Sequence, residues 1–274
     1  MSSLHLALAQ AWPVMWLFDL ARYLLPASAL ALVLWALPRG WRDARCVQAR
    51  APAPGQRRRE FLYSMLTVLI FSLNGALTFV GAHAGVLQLY ERIAERGWLY
   101  AAGSLLLLVL AHDAWFYWTH RLLHARPLYR WTHLTHHRSV APTPWAAYSF
   151  APTEAVVQAV FLPLMLLVLP LHPLTIFVFL AHMILRNVLG HAGVELLPRR
   201  WLAGWWGRWL TTTLHHDLHH AQGRANYGLY FTWWDRLCGT EHTQYRERLS
   251  ALAPAAQPAS TGNISATGRV SGST

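Results

Sequence analysis

Lysine is absent: all 23 basic residues of this 274-residue chain are arginine, and they face only 12 acidic ones. Charged residues make up 13% of the sequence, about half the share usual in a soluble domain, which argues against a soluble protein. The two cysteines, Cys46 and Cys238, share no metal-type spacing and fall in segments assigned to the cytosol, so no disulfide is expected. No Glu stands in an HExxH context, which removes the general base of a zinc protease. There is no GxGxxG loop, no cysteine cluster for iron–sulfur and no fused cytochrome segment, so electrons for any redox chemistry must come from another protein. A basic n-region is also missing, so no cleavable signal peptide is expected and Met1 to Pro13 stays attached. The Arg, Ala and Pro richness reads as a GC-biased coding sequence, a hint of a bacterial source. Because the arginines sit between hydrophobic segments, they act as topology signals and no nucleic-acid partner is expected.

What the chain has in abundance is apolar surface, at 54% of residues and a mean hydropathy of +0.24. Three stretches are long enough to cross a hydrocarbon core of about 30 Å: Val14 to Leu37, Phe61 to Gly81 and Trp98 to Trp118. Between the first two, Arg39 to Glu60 carries seven arginines with Pro52, Pro54 and Gly55, which marks a cytosolic loop. The loop with Glu91, Arg92, Glu95 and Arg96 is balanced in charge and belongs on the other side. From Ala155 to Leu169 a run of 15 residues covers roughly 22 Å. Pro170 and Pro173 break it before a second run, Leu174 to Leu189, so the pair reads as a hairpin entering and leaving on the cytosolic side. The expected fold is therefore an all-α integral membrane protein: three spanning helices, a hairpin of two apolar helices and a cytosolic helical cap. Residues 1–249 form one domain in this reading, and residues 250–274, rich in Ala, Pro, Ser, Thr and Gly, a disordered tail.

Ten of the 16 histidines crowd into four tracts: His120 with His124; His133 with His136 and His137; Asn187 to His191; and His215, His216, His219 and His220. Every tract lies at or beyond the cytosolic end of a hydrophobic segment. Spacings of three and four residues place imidazoles on one helix face at adjacent turns, as a metal needs when it takes two ligands from one helix. Two metals with four or five nitrogen ligands each require about nine imidazoles, the number left without His215. Asp113, seven residues before His120, points roughly its way and is a candidate for fixing a ring tautomer; an ion-pair role is the alternative. His5, His83, His172 and His242 read as structural, as do His112 and His182. Only Asp217 lies inside a tract and Glu195 just after another, too few carboxylates for a Glu-bridged di-iron bundle. An all-imidazole site beside lipid-facing helices suits a redox metal, O2 and an apolar substrate.

The stretch Asp113-Ala-Trp-Phe-Tyr-Trp-Thr-His120-Arg-Leu-Leu-His124, the segment Trp131 to His137, and the piece from His215 through Asn226-Tyr-Gly and Phe231-Thr-Trp-Trp-Asp-Arg to Thr240 together resemble the fatty acid hydroxylase and sterol desaturase superfamily. They are similar above all to the C4-sterol methyl oxidase and cholesterol hydroxylase branch. The likeness runs from about His112 to Tyr245 and implies two iron ions held by His120, His124, His133, His136, His137, His191, His216, His219 and His220. Asn187 then stands where relatives can carry another His or a polar group. Trp233, Trp234, Asp235 and Gly239 have no ligand character and read as a packing turn. The implied reaction is reductive activation of O2 and removal of hydrogen from an unactivated lipid C–H, ending in hydroxylation or desaturation. It requires a separate reductase, ferredoxin or cytochrome as electron donor, and zinc can replace iron during isolation. The rival readings are a carotenoid hydroxylase and, in another class, a metal transporter or sensor; a transporter should place its ligands near mid-membrane. The expected location is a bacterial inner membrane, or the endoplasmic reticulum of a eukaryote, with the histidine tracts facing the cytosol.

Overall fold

The computed structural model describes residues 3–252, and among these the chain is helical with no strand. Three long helices come first: α1 (Ser3–Ala36), α3 (Gln56–His83) and α4 (Gly97–Leu123), with the short α2 (Arg39–Asp43) between the first two. Two short helices, α5 (Arg126–Thr132) and α6 (Leu134–His137), follow α4. The apolar hairpin is α7 (Pro152–Ala159), α8 (Phe161–Val168) and α9 (Pro173–Gly190). The cap is completed by α10 (Arg199–Ala203), α11 (Trp205–Trp209), α12 (Thr213–Gln222), α13 (Trp233–Leu237) and α14 (Tyr245–Leu252). Residues 250–252 thus close a helix instead of opening a tail, and the rest of the expected tail lies outside the described residues.

Helices α1, α3, α4 and α9 are each long and apolar enough to cross a membrane. Large apolar side chains such as Leu25, Trp35, Leu99 and Leu106 project from them uncovered, as a lipid-facing surface requires. The chain is an all-α membrane protein. Helix α1 starts well before Val14 because Leu4 to Gln10 are good helix formers, and the apolar window marks only the part that lipid demands. The inner face of α3 is polar where it enters the bundle. Gln56 donates to Glu60 and to Ala141 O, Thr143 donates to Glu60, and Ser64 donates to Trp145 O, which fastens the 139–149 segment beneath the cap.

The first limb of the hairpin is broken at Val160 for a covalent reason. Pro163 has no N–H to give Ala159 O, and Asn74 Nδ2 on α3 takes that carbonyl at 3.1 Å instead. The hairpin tip reaches the loop between α3 and α4, at the far end from the arginine-rich loop. Leu171 N donates to Gln88 O at 3.0 Å, Tyr90 N to Leu171 O at 3.2 Å, and Tyr100 OH to Pro170 O at 3.0 Å. His172 fulfils its structural reading: Nε2 donates to Glu91 O, and Nδ1 accepts from Leu174 N to cap α9. Both limbs therefore pass the whole depth of the bundle, a reach the short first run does not announce.

Candidate metal centre

Helix α12 is bounded by its own sequence. Thr212 caps the start, its hydroxyl accepting from His215 N at 3.1 Å, and Gly223 ends it in the left-handed region at φ 66°. Within that frame, neighbouring residues diverge by about 100° around the axis. His219 therefore turns toward one cluster while His216 and His220, four apart, turn toward another. Helix α6 repeats the device, sending His137 one way and His136 the other. The nine imidazoles come together as His120, His124, His133, His137 and His219 in one group and His136, His191, His216 and His220 in a second; ligand atoms in each lie within 4.8 Å of one another. The rings of His137 and His220 stack at 4.9 Å between the groups. The His136–His137 and His219–His220 pairs thus each straddle the two groups.

Ring orientation follows from the Nδ1 partners. His120 Nδ1–H donates to Tyr227 O (2.9 Å), His191 to Asn187 O (2.7 Å), His219 to Ala225 O (2.7 Å) and His136 to Ser149 O (3.4 Å). A carbonyl only accepts, so in each ring the proton sits on Nδ1 and the Nε2 lone pair is free. Those lone pairs point at one another. Nε2 to Nε2 separations are 2.9 Å for His120–His133 and His137–His219, 3.2 Å for His124–His219, 3.0 Å for His191–His216, 3.1 Å for His216–His220 and 3.4 Å for His136–His191. A metal–nitrogen bond of about 2.0–2.1 Å puts adjacent ligands about 2.9 Å apart at right angles and about 3.4 Å apart in a tetrahedron. The donor set therefore fits two metal ions, which would turn opposed lone pairs into shared coordination. Burial, with neighbouring imidazoles adding to it, lowers the proton affinity of His133, His136, His216, His219 and His220 well below the ordinary value. His137 falls to about 3, and His191 falls to about 4 by burial. The rings are held neutral, the state in which imidazole binds a cation.

Two expected roles are corrected. Asp113 does not orient an imidazole: Oδ1 accepts from Tyr230 N (3.0 Å) and Phe231 N (3.2 Å), and Oδ2 from Trp233 Nε1 (2.7 Å). It ties the 230–233 segment to α4, because helical phase fixes the direction of a side chain and not what lies there. The Asn187 side chain does not join either histidine group and donates to Ala147 O at 2.6 Å; its backbone carbonyl is what holds His191. His112 faces Phe161, Phe179 and the Tyr230 hydroxyl (3.0 Å), in keeping with a structural residue. His215 stays outside both groups, 3.3 Å from Asp235.

Sequence reasoning missed Glu154. Its Oε2 lies 2.8 Å from His133 Nδ1, both groups fully buried, and among the described residues it is the one carboxylate in contact with a clustered ring. Nothing in the apolar run around it hints at this, since the two residues are 21 positions apart. Glu154→Gln should weaken metal binding about 10- to 100-fold, read by chelator competition, because the ring loses the carboxyl oxygen that faces its Nδ1. The Asn226-Tyr-Gly piece also gains a role. Asn226 sits at φ 59°, donates to His215 O and accepts from His242 N, while Asp235 accepts from Tyr227 N (2.8 Å) and Gly228 N (2.9 Å). A Cβ on Gly228 would stand 2.5 Å from Phe231 O, so only glycine allows this close wrap. The result is a rigid loop presenting the Ala225 and Tyr227 carbonyls to His219 and His120.

On the membrane side of the cluster lies a cavity of about 900 Å³ between α1, α3, α4 and the hairpin, walled by Phe18, Phe71, Phe79, Leu162, Phe179 and Leu180 among others. His112, which contributes to its wall, precedes His120 by eight residues, about 12 Å along α4.

Residues 105–240, the segment that carries all nine clustered histidines, match the family model described as fatty acid hydroxylase. Through this segment the chain belongs to the fatty acid hydroxylase family. Among curated relatives of this fatty acid hydroxylase family member is a delta(7)-sterol 5(6)-desaturase of Gibberella zeae, 34% identical over 193 residues, covering 70% of this chain and 58% of the relative. A lathosterol oxidase of Rattus norvegicus is 30% identical over 190 residues (68% of this chain, 61% of the relative), and methylsterol monooxygenase 1 of the same species 28% over 167 (60% and 55%). The chain thus spans less than two thirds of the length of these relatives. No solved structure matches.

Proposed function

We propose that this protein oxidises an unactivated C–H bond of a lipid or sterol-like substrate with O2, by hydroxylation or desaturation, using two iron ions held by the nine clustered histidines. The observation that carries this is the convergence of Nε2 lone pairs in two groups above an apolar cavity large enough for a lipid-sized molecule. Iron held there supplies the capacity to reduce dioxygen. The chain's own residues do the rest. Backbone carbonyls and Glu154 lock the rings, and the layer formed by Phe150 against His136 and Tyr148 against Phe71 keeps water from the cavity. The likeness to a sterol desaturase, a lathosterol oxidase and a methylsterol monooxygenase supports a polycyclic or sterol-like substrate. Both clusters sit at the ends of α4 and α9 and not midway along them, which argues against transport.

In this reading the cluster faces the cytosol with the arginine-rich 39–59 loop, and an external reductase, ferredoxin or cytochrome delivers electrons there. The test is expression of the full chain in membranes with NAD(P)H and a reductase, following O2 uptake and the mass of extracted lipids. A gain of one oxygen or a loss of two hydrogens, dependent on bound iron, is expected. Iron-loaded protein that consumes no O2 and leaves every lipid unchanged would defeat the proposal.

A further inference from the structure

The wall of the large cavity is mostly apolar, and α1 carries the charged pair Asp19 and Arg22 into it. An ion pair inside a membrane bundle is costly and asks for a reason. Arg22 Nη2 donates to Asp19 Oδ1 at 2.5 Å, which leaves the pair without net charge. The guanidinium is caged by Phe18, Phe71 and Tyr148, with ring centroids 5.7–5.8 Å from its carbon. Yet its Nε and Nη1 donors have no partner among the described residues, although the side chain is only 8% exposed. Two further polar atoms share this condition: the Tyr148 hydroxyl, beside the guanidinium, and Gln158 Oε1, whose residue lines the same cavity. Buried donors and acceptors left unpaired each carry a penalty, so Arg22 and Gln158 on the cavity wall, with Tyr148 packed behind Arg22, point to a polar group that completes them.

We propose that Asp19 and Arg22, with Tyr148 and Gln158, form the subsite that holds the hydroxyl group of a neutral lipid alcohol. The chemistry selects this class. A hydroxyl accepts from an arginine N–H and donates to an amide oxygen, which is the inventory on offer. A carboxylate or phosphate would bring a second negative charge beside Asp19, with Arg22 already neutralised by it. The subsite faces the metal side of the cavity: the Tyr148 ring touches the Arg22 guanidinium, Phe150 lies 6.2 Å from Tyr148, and His136 lies 5.3 Å from Phe150. One aromatic residue, Phe150, separates the clamp's Tyr148 from a clustered histidine. The charged pair lies outside the segment matching the family model, since α1 precedes residue 105, whereas Tyr148 and Gln158 lie within it.

This inference rests on the proposed lipid substrate, and binding measurements separate the two. The probes are lathosterol and its 3-deoxy analogue, and octadecanol and octadecane, each titrated into purified full-length protein in nanodiscs with metal content recorded. The wild-type chain should prefer an alcohol over its hydroxyl-free counterpart by about 10- to 100-fold, the range for a hydrogen bond to a charged group. The double variant Asp19→Leu/Arg22→Met removes both charges together and avoids leaving one buried alone. It should bind both members of the preferred pair equally, with unchanged metal content. Equal binding of alcohol and hydrocarbon by the wild type, no binding of any probe, or a preference that survives in the double variant overturns the clamp. Lipid oxidation would then still stand if product forms. Conversely, alcohol-selective binding without turnover would remove the oxidase reading and leave the clamp in place.

Discussion

Replacing His219 with Ala should abolish lipid oxidation. Its Nε2 is the shared neighbour of His124 at 3.2 Å and His137 at 2.9 Å, and its ring packs 4.4 Å from His120. Removing it withdraws one ligand and opens a gap that lets three others turn, so metal content of the first group should fall along with activity. His136→Ala should do the same to the second group, where it faces His191 at 3.4 Å and packs 4.6 Å from His220. His242→Ala is the control. Among the described residues its ring accepts from Gln244 N and belongs to neither cluster, so metal and most of the product should survive. Metal analysis and lipid product measured on the same purified proteins decide the matter, and full activity in His136→Ala or His219→Ala would sink the dinuclear reading.

The second large effect separates substrate from metal. Thr78 on α3 and Leu180 on α9 both line the cavity, and neither touches a clustered histidine. Thr78→Trp or Leu180→Trp puts an indole into space that the lipid needs, while both metal groups keep all their ring anchors. A displacement of about 1 Å at the reacting carbon lowers turnover on the order of 100-fold, so product formation should fall by about that factor with iron content unchanged. Lipid turnover at the wild-type rate in both variants would show that the substrate enters elsewhere.

How far the sequence could be read depended on the range of the interactions involved. Spacings of three and four residues are local, so the nine histidines could be picked out before any tertiary contact was known, and the helical phase of adjacent residues accounts for their division into two groups. The long apolar runs were equally legible because lipid imposes their length. Partners were another matter. Asp113 lay in phase with His120, yet its three hydrogen bonds go to residues 230, 231 and 233, more than a hundred positions away. Glu154 looked like one acidic residue at the edge of an apolar run, and only the fold brings it against His133. The depth of the hairpin was hidden because it is set by backbone bonds between Leu171 and the 88–90 stretch, which no side-chain pattern encodes.

The anchor of His120 lies 107 residues farther along the chain, in the carbonyl of Tyr227, and that loop is itself clasped by Asp235 and Thr240. During synthesis, then, α4 enters the membrane with its histidine unsupported, and the ring gains its fixed direction only when the last fifth of the polypeptide has folded back over it. In the proposed dinuclear reading, metal insertion is thereby a late event in the life of each molecule. A ribosome-bound fragment stopping before residue 225 carries every clustered histidine but neither the Ala225 nor the Tyr227 carbonyl that orients His219 and His120, so in that reading the nascent chain passes through translation without a finished centre.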